Sequence, residues 1–250
     1  MRTETTSRPD ARVRIAVQAA DGFTLIELAI VLFIITLLLG GVLTPLGQQV
    51  VEHQTTESRR TLDSARIALV GFALRQAGQA GPLPCPDLRE GHDTQANDGL
   101  EDRLADGACA ALSGNLPWKT LGLTKADAWG NHLSYAVAVD WSVAGTPLAE
   151  AVAELQVCPN HACNSPTPAA AIIISHGRNG FGAKNTNGGD NLRPTSSDEL
   201  ENINSDARFI MHPPRASDRP EGEFDDLLLP LSADWLRGRL CDPASLCAGD

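Results

Sequence analysis

The sequence predicts an α+β fold, in which one long N-terminal helix precedes a head of short strands. Three observations predict it. The run from Phe23 to Leu43 is apolar almost throughout. A second apolar stripe at Leu62, Ala65, Leu69 and Phe72 recurs at three- and four-residue steps, the helical period. Beyond about Gly81, short apolar runs alternate with turn residues, the pattern of strands and loops. The chain divides accordingly into a polar leader (1–22), a long helix (23–80) and a globular head (81–250).

The first of these runs is long enough to be a membrane span. About 20 apolar residues in a helix cross a hydrocarbon core of roughly 30 Å. Between Leu28 and Leu43 only Thr36 is polar. A secretory signal peptide would have a shorter apolar core and a small-residue cleavage site, but Gly-Gly-Val-Leu-Thr-Pro follows here. Arg2, Arg8, Arg12 and Arg14 precede the run, which places the N-terminus in the cytoplasm and the head outside. Glu27 is the exception inside it. An acid in a spanning helix costs about 2.5–3.5 kcal/mol, so it marks a functional position that needs a partner.

The stretch Gly22-Phe23-Thr24-Leu25-Ile26-Glu27-Leu28 resembles the processing motif of type IV prepilins and type II secretion pseudopilins. The resemblance implies that a prepilin peptidase cuts between Gly22 and Phe23 and methylates the new N-terminal Phe23. It also gives Glu27 its partner, the free N-terminal amine of a neighbouring subunit in a filament, since a buried charge needs one. The implied fold is the pilin fold, with a transmembrane helix packed on a small antiparallel sheet. The implied partners are other pilins or pseudopilins, inner-membrane lipid and an inner-membrane assembly platform. Asp21 departs from the basic residue often found before the cut.

Pro45, with Gly40 and Gly41, predicts a kink. Val51 to Arg60 is polar all round and reads as a bridging helix. The stripe from Leu62 then docks on the head, and Gly78, Gly81, Pro82 and Pro84 end the helix near Gln79. In the head, Leu133 to Val139 alternates as a strand with Leu133, Tyr135, Val137 and Val139 on one face. Ala170–Ser175 reads as a buried strand and Phe224–Leu229 as another. Ser232 is suited to cap a last helix reaching Leu240, with Asp234 early and Arg237 and Arg239 late along its dipole.

Six cysteines lie as neighbours, Cys85 with Cys109, Cys158 with Cys163 and Cys241 with Cys247. Such pairs fit disulfides in an oxidising compartment, with this sequential connectivity preferred among several. His161 between Cys158 and Cys163 raises zinc, but no matching second pair of ligands follows.

Asp127-Ala-Trp129-Gly130-Asn131 and Tyr135 resemble a stretch of major pseudopilins, and Ser175-His-Gly177-Arg-Asn179-Gly180 resembles their loop. In those proteins an acidic segment after the loop binds calcium. Here that segment offers Asp198, Glu199 and Glu201 as a possible structural calcium site, since calcium takes six to eight oxygens. The Asp93–Asp102 stretch lacks the glycine and glutamate positions of an EF-hand and reads as a solvated turn.

No nucleophile elbow, phosphate loop or HExxH occurs; Ser175 and His176 are adjacent only in sequence, and His53, His92 and His212 read as solvent residues. An enzyme is therefore not expected. Net charge of −11 without a basic cluster argues against nucleic acid. Two functions remain, a shaft subunit of a type IV pilus or type II pseudopilus, and a minor pilin at the tip whose head is an adhesin or substrate-binding module.

Overall fold

The computed structural model describes residues 22–75, 81–90 and 96–241, without the side chains of 41–46. The leader, the helix end at 76–80, His92, Asp93 and Cys247 lie outside the described residues. The chain divides into two units, Met1–Gln48 and Gln49–Asp250.

Helix α1 covers Leu25–Leu74. At its start Thr24 Oγ1 accepts from the Glu27 amide at 3.3 Å, satisfying one of the orphan N–H groups of the first turn. From Leu25 to Leu39 the large apolar side chains stand exposed, from 44% at Ile35 to 87% at Leu25. Among the described residues no helix is long and apolar enough to cross a membrane. Leu25 to Gly40 amounts to about 24 Å at 1.5 Å per residue, short of the roughly 30 Å required. The rest of the expected run, Gly41–Leu43, falls where side chains are not described. Pro45 lies inside the helical range, which continues past it.

In the second unit the later part of α1 enters the core. Leu62, Ala65, Leu69 and Ala73 are buried in one cluster with Tyr135, Val137, Ile173 and Leu236, and Phe72 is partly buried against it. The polar stretch before them is not solvated all round. Ser58 is fully buried and its hydroxyl accepts from the Ala128 amide, while Gln54 donates to the Ala128 carbonyl. A serine allows close approach and satisfies a backbone N–H that an alanine would leave unpaired.

The head adds β1 (Ser113–Asn115), α2 (Trp118–Leu121), β2 (Ser134–Val137), α3 (Val139–Ser142), β3 (Leu155–Cys158), β4 (Thr167–Ala169), β5 (Ala171–Ser175), α4 (Ser197–Glu201), β6 (Arg208–Ile210), β7 (Leu227–Leu231) and α5 (Ala233–Leu240). A four-stranded antiparallel sheet has the order β1-β2-β5-β7. A second sheet, β4-β3-β6, includes a parallel β3–β6 pair that the sequence did not announce. Strand β2 is buried at all four positions instead of alternating. Val139 leaves the strand and opens α3, and it is 41% exposed. The last strand sits three residues later than its apolar run suggested, because Phe224 pairs with Arg215 in an isolated bridge. Ser232 caps α5 by accepting from the Trp235 amide.

Candidate functional site

Among the described residues, two places concentrate groups without a partner. The first is the start of α1. Phe23 is 82% exposed, and Glu27 stands in the first turn amid the exposed apolar residues of the helix. Gly22 precedes the helix and is exposed. A helix that is greasy on every side cannot satisfy itself in water and calls for lipid or other helices.

The second is a buried polar network at the β5 end of the head. Asp127 turns the chain tightly: its Oδ1 accepts from the amides of Trp129 and Asn131, and its Oδ2 from the Ser175 hydroxyl at 2.7 Å. Burial raises its pKa, with these hydrogen bonds acting the other way. The Asp-x-Trp-Gly-Asn stretch thus ties β2 to the loop after β5. In that loop Gly177 has a φ of 59°, and a side chain there would meet the Asp225 carbonyl at 2.3 Å, so only glycine fits.

That close approach brings Asp225 and Asp226 beside the acidic helix α4. Ligand atoms of Glu199, Asp225 and Asp226 all lie within 4.8 Å of one another. Glu199 Oε1 accepts from Asn179 Nδ2 and the Asp225 amide, but Glu199 Oε2, Asp225 Oδ1 and Asp226 Oδ1 are buried without a hydrogen-bond partner. Burial, then repulsion from Asp226, raises the Glu199 pKa to about 7. Burial likewise raises Asp225 to about 6, with Asp226 adding to it against the Asn179 amide.

The three acids read from the sequence are therefore not brought together. Burial would raise the Asp198 pKa, but Arg215 at 2.8 Å and His212 at 3.1 Å outweigh it and hold the carboxyl below its usual range. His212, expected in solvent, packs on Phe224 with ring centroids 3.9 Å apart. Glu201 pairs with Arg208. Of the three, only Glu199 keeps a buried oxygen without a hydrogen-bond partner, because α4 turns successive acids to different neighbours. Asp225 and Asp226 were missed; their one signal is an acidic pair directly before the apolar run Leu227–Leu229.

The cysteines Cys85 and Cys109 are bonded, as are Cys158 and Cys163. Cys241 is also disulfide-bonded. In the Asp93–Asp102 stretch, Asp98 accepts from the Leu100 amide and Asp102 from the Leu88 amide, so these acids cap turns.

Ser134, His176 and Asp226 stand in a row. Ser134 Oγ lies 2.7 Å from His176 Nε2, and His176 Nδ1 lies 3.3 Å from Asp226 Oδ1. The order is that of nucleophile, base and acid, but the last contact lacks hydrogen-bond alignment, and Arg89 also donates to the serine. The serine thus ties β2 to the His176 and Arg89 side chains.

Residues 18–43 match the sequence family described as the prokaryotic N-terminal methylation motif. No curated protein and no solved structure matches the chain.

Proposed function

We propose that the chain, whose residues 18–43 match the N-terminal methylation motif, is a type IV pilin-like prepilin and a structural subunit of a type IV pilus or a type II secretion pseudopilus. In this reading a prepilin peptidase cuts after Gly22 and methylates Phe23. Phe23 to Leu43 then holds the subunit in the inner membrane until an assembly platform extracts it into a filament. Glu27 pairs with the N-terminal amine of a neighbouring subunit, and the head lies in the periplasm, where its disulfides persist. The observation that carries this reading is the coincidence of the motif over residues 18–43 with a capped helix start and an exposed apolar surface. The test is mass spectrometry of the mature protein from its native host. N-methylated Phe23 supports the reading, and intact Met1 in membranes overturns it.

We further propose that the head holds a structural calcium ion at Glu199, Asp225 and Asp226 rather than at Asp198, Glu199 and Glu201. Two buried carboxylates and the half-buried Asp225, each with an oxygen that accepts no hydrogen bond, fit a hard cation that prefers oxygen donors. A bound cation would neutralise the repulsion among them and pin the Ser175–Gly182 loop through Asn179.

A further inference from the structure

Each carboxylate of the Glu199, Asp225 and Asp226 cluster is held by one oxygen and leaves the other without a hydrogen-bond partner. Glu199 Oε1 accepts from Asn179 Nδ2 at 3.1 Å and from the Asp225 amide at 3.0 Å. Asp225 Oδ2 accepts from the Asn179 amide at 2.9 Å, and Asp226 Oδ2 from Asn202 Nδ2 at 2.8 Å. The other oxygens, Glu199 Oε2, Asp225 Oδ1 and Asp226 Oδ1, accept no hydrogen bond. Asn179 therefore meets two of the three acids, and it gathers the loop after β5, helix α4 and the start of β7 into one place. Its side chain has a fixed sense. Oδ1 accepts from the Phe181 amide at 2.8 Å, an Asx turn, so Nδ2 is the end turned to Glu199.

We propose, resting on the calcium site argued above, that Asn179 is its positioning residue, holding Glu199 and Asp225 so that Glu199 Oε2 and Asp225 Oδ1 are left for the ion. Asn202 does the same for Asp226. These donors are neutral amides, which orient a carboxylate without cancelling its charge. Asp198 and Glu201 meet arginines instead, and their charge is already answered. Among the described residues no Lys or Arg pairs with the three acids, and the basic group beside them is His176, with Nδ1 at 3.3 Å from Asp226 Oδ1. Desolvated carboxylates without a counter-charge are costly, so a cation is the complement the cluster lacks. With one oxygen of each acid tied, the side chains coordinate through single oxygens, and calcium takes its remaining three to five or so from carbonyls or water. Groups that hold ligands from behind in this way fix ligand orientation before the metal arrives, and losing one typically weakens metal binding by about ten- to a hundredfold.

The test is a calorimetric titration of the full-length protein in detergent micelles with calcium chloride, after metal is removed with a chelator. Asn179→Ser keeps a hydroxyl for the Phe181 amide but is too short to reach Glu199. It should bind calcium about ten- to a hundredfold more weakly than the native chain. Asn204 ties Glu201 Oε2 in the same manner outside the cluster, so Asn204→Ser should bind as the native chain does. A purely structural asparagine would lower the melting temperatures of the metal-free and calcium-loaded forms alike and leave the affinity unchanged. If Asn179→Ser fails to fold, NMR of the isotope-labelled native chain decides: calcium should shift the Asn179 side-chain amide signals and leave those of Asn204 in place. Unchanged affinity in a folded Asn179→Ser, equal weakening in Asn204→Ser, or Asn179 signals that calcium does not move would each overturn the positioning role and leave the calcium site standing. Absence of calcium binding by the native chain would remove the site itself, and the role of Asn179 with it.

Discussion

The two stretches of α1 are built from similar residues and meet opposite fates. From Leu25 to Leu39 the large apolar side chains are at least 44% exposed, whereas Leu62, Ala65, Leu69 and Ala73 are at most 3% exposed. The difference lies in arrangement. The first stretch is apolar on every side, and no single sheet could cover it; the second carries one stripe, and one sheet covers it. At about 25 cal/mol per Å², leaving the first stretch in water would cost more than a fold of this size can spare. Among the described residues the first stretch has no partner, while the second has its partner in the head. Mutations in the first should read as assembly, and mutations in the second as stability.

The largest expected effect is at Glu27. Removing one member of a buried charge pair costs about 3–5 kcal/mol, so Glu27→Ala should lower incorporation into filaments by tenfold or more. Membrane fractionation should show unchanged insertion, and thermal melting of the head should not move. Normal incorporation would remove the charge-pairing role.

Leu69→Ala is the converse experiment. Leu69 is fully buried in the shared core, and such truncations cost about 2–5 kcal/mol. For a head of this size that corresponds to a fall in Tm of roughly 4–20 °C, with processing at Phe23 unaffected. A variant that melts normally but fails to assemble would erase the contrast between the two stretches.

These contrasts were legible in the sequence to unequal degrees. The stripe from Leu62, the buried strand Ala171–Ser175 and the Ser232 cap follow from local periodicity and chemistry, which a linear reading sees. The β3–β6 pair joins residues about fifty apart with no turn between them, so nothing local announced it. The acidic cluster of Glu199, Asp225 and Asp226 was hidden for the same reason. Asp198, Glu199 and Glu201 are neighbours in sequence, but Arg215 and Arg208 return from later segments to claim two of them. Asp225 arrives beside Glu199 only because Gly177 lets the backbones touch. Arg89, too, meets its acceptors, Ser134 and the Gly182 carbonyl, only when distant segments fold together.

Calcium would sharpen the contrast by stabilising the head alone. At a hundredfold excess over its Kd, a ligand adds about 2.7 kcal/mol, or roughly 5–11 °C in Tm. Differential scanning calorimetry with calcium or with a chelator should show this rise. It should vanish in Asp225→Asn, and it should persist in Glu201→Gln, whose carboxylate is committed to Arg208. A rise that depends on Glu201 and not on Asp225 would return the site to α4.

The smallest effect concerns pH, and it too belongs to the head. Asp87 is fully buried, and burial raises its pKa to about 7, against hydrogen bonds from Gly99 and Asn97 and with Asp102 and Asp98 adding to the rise. A carboxyl with a raised folded pKa keeps a proton that the unfolded chain releases above about 3.9. Its contribution is therefore full below that value and is lost as pH rises through about 7. His132 runs the other way. Burial, with Lys125 and Arg89 nearby, lowers it to about 4, so its contribution is present above about 6.5 and is lost on acidification. Comparing the native chain with Asp87→Asn at each pH cancels the histidine. The fall in Tm between pH 5 and pH 8 should be smaller in the variant by a few degrees, because an amide at 87 can accept the same amide protons without ionising. Equal slopes would mean that Asp87 is already ionised at neutral pH and that the head tolerates that buried charge.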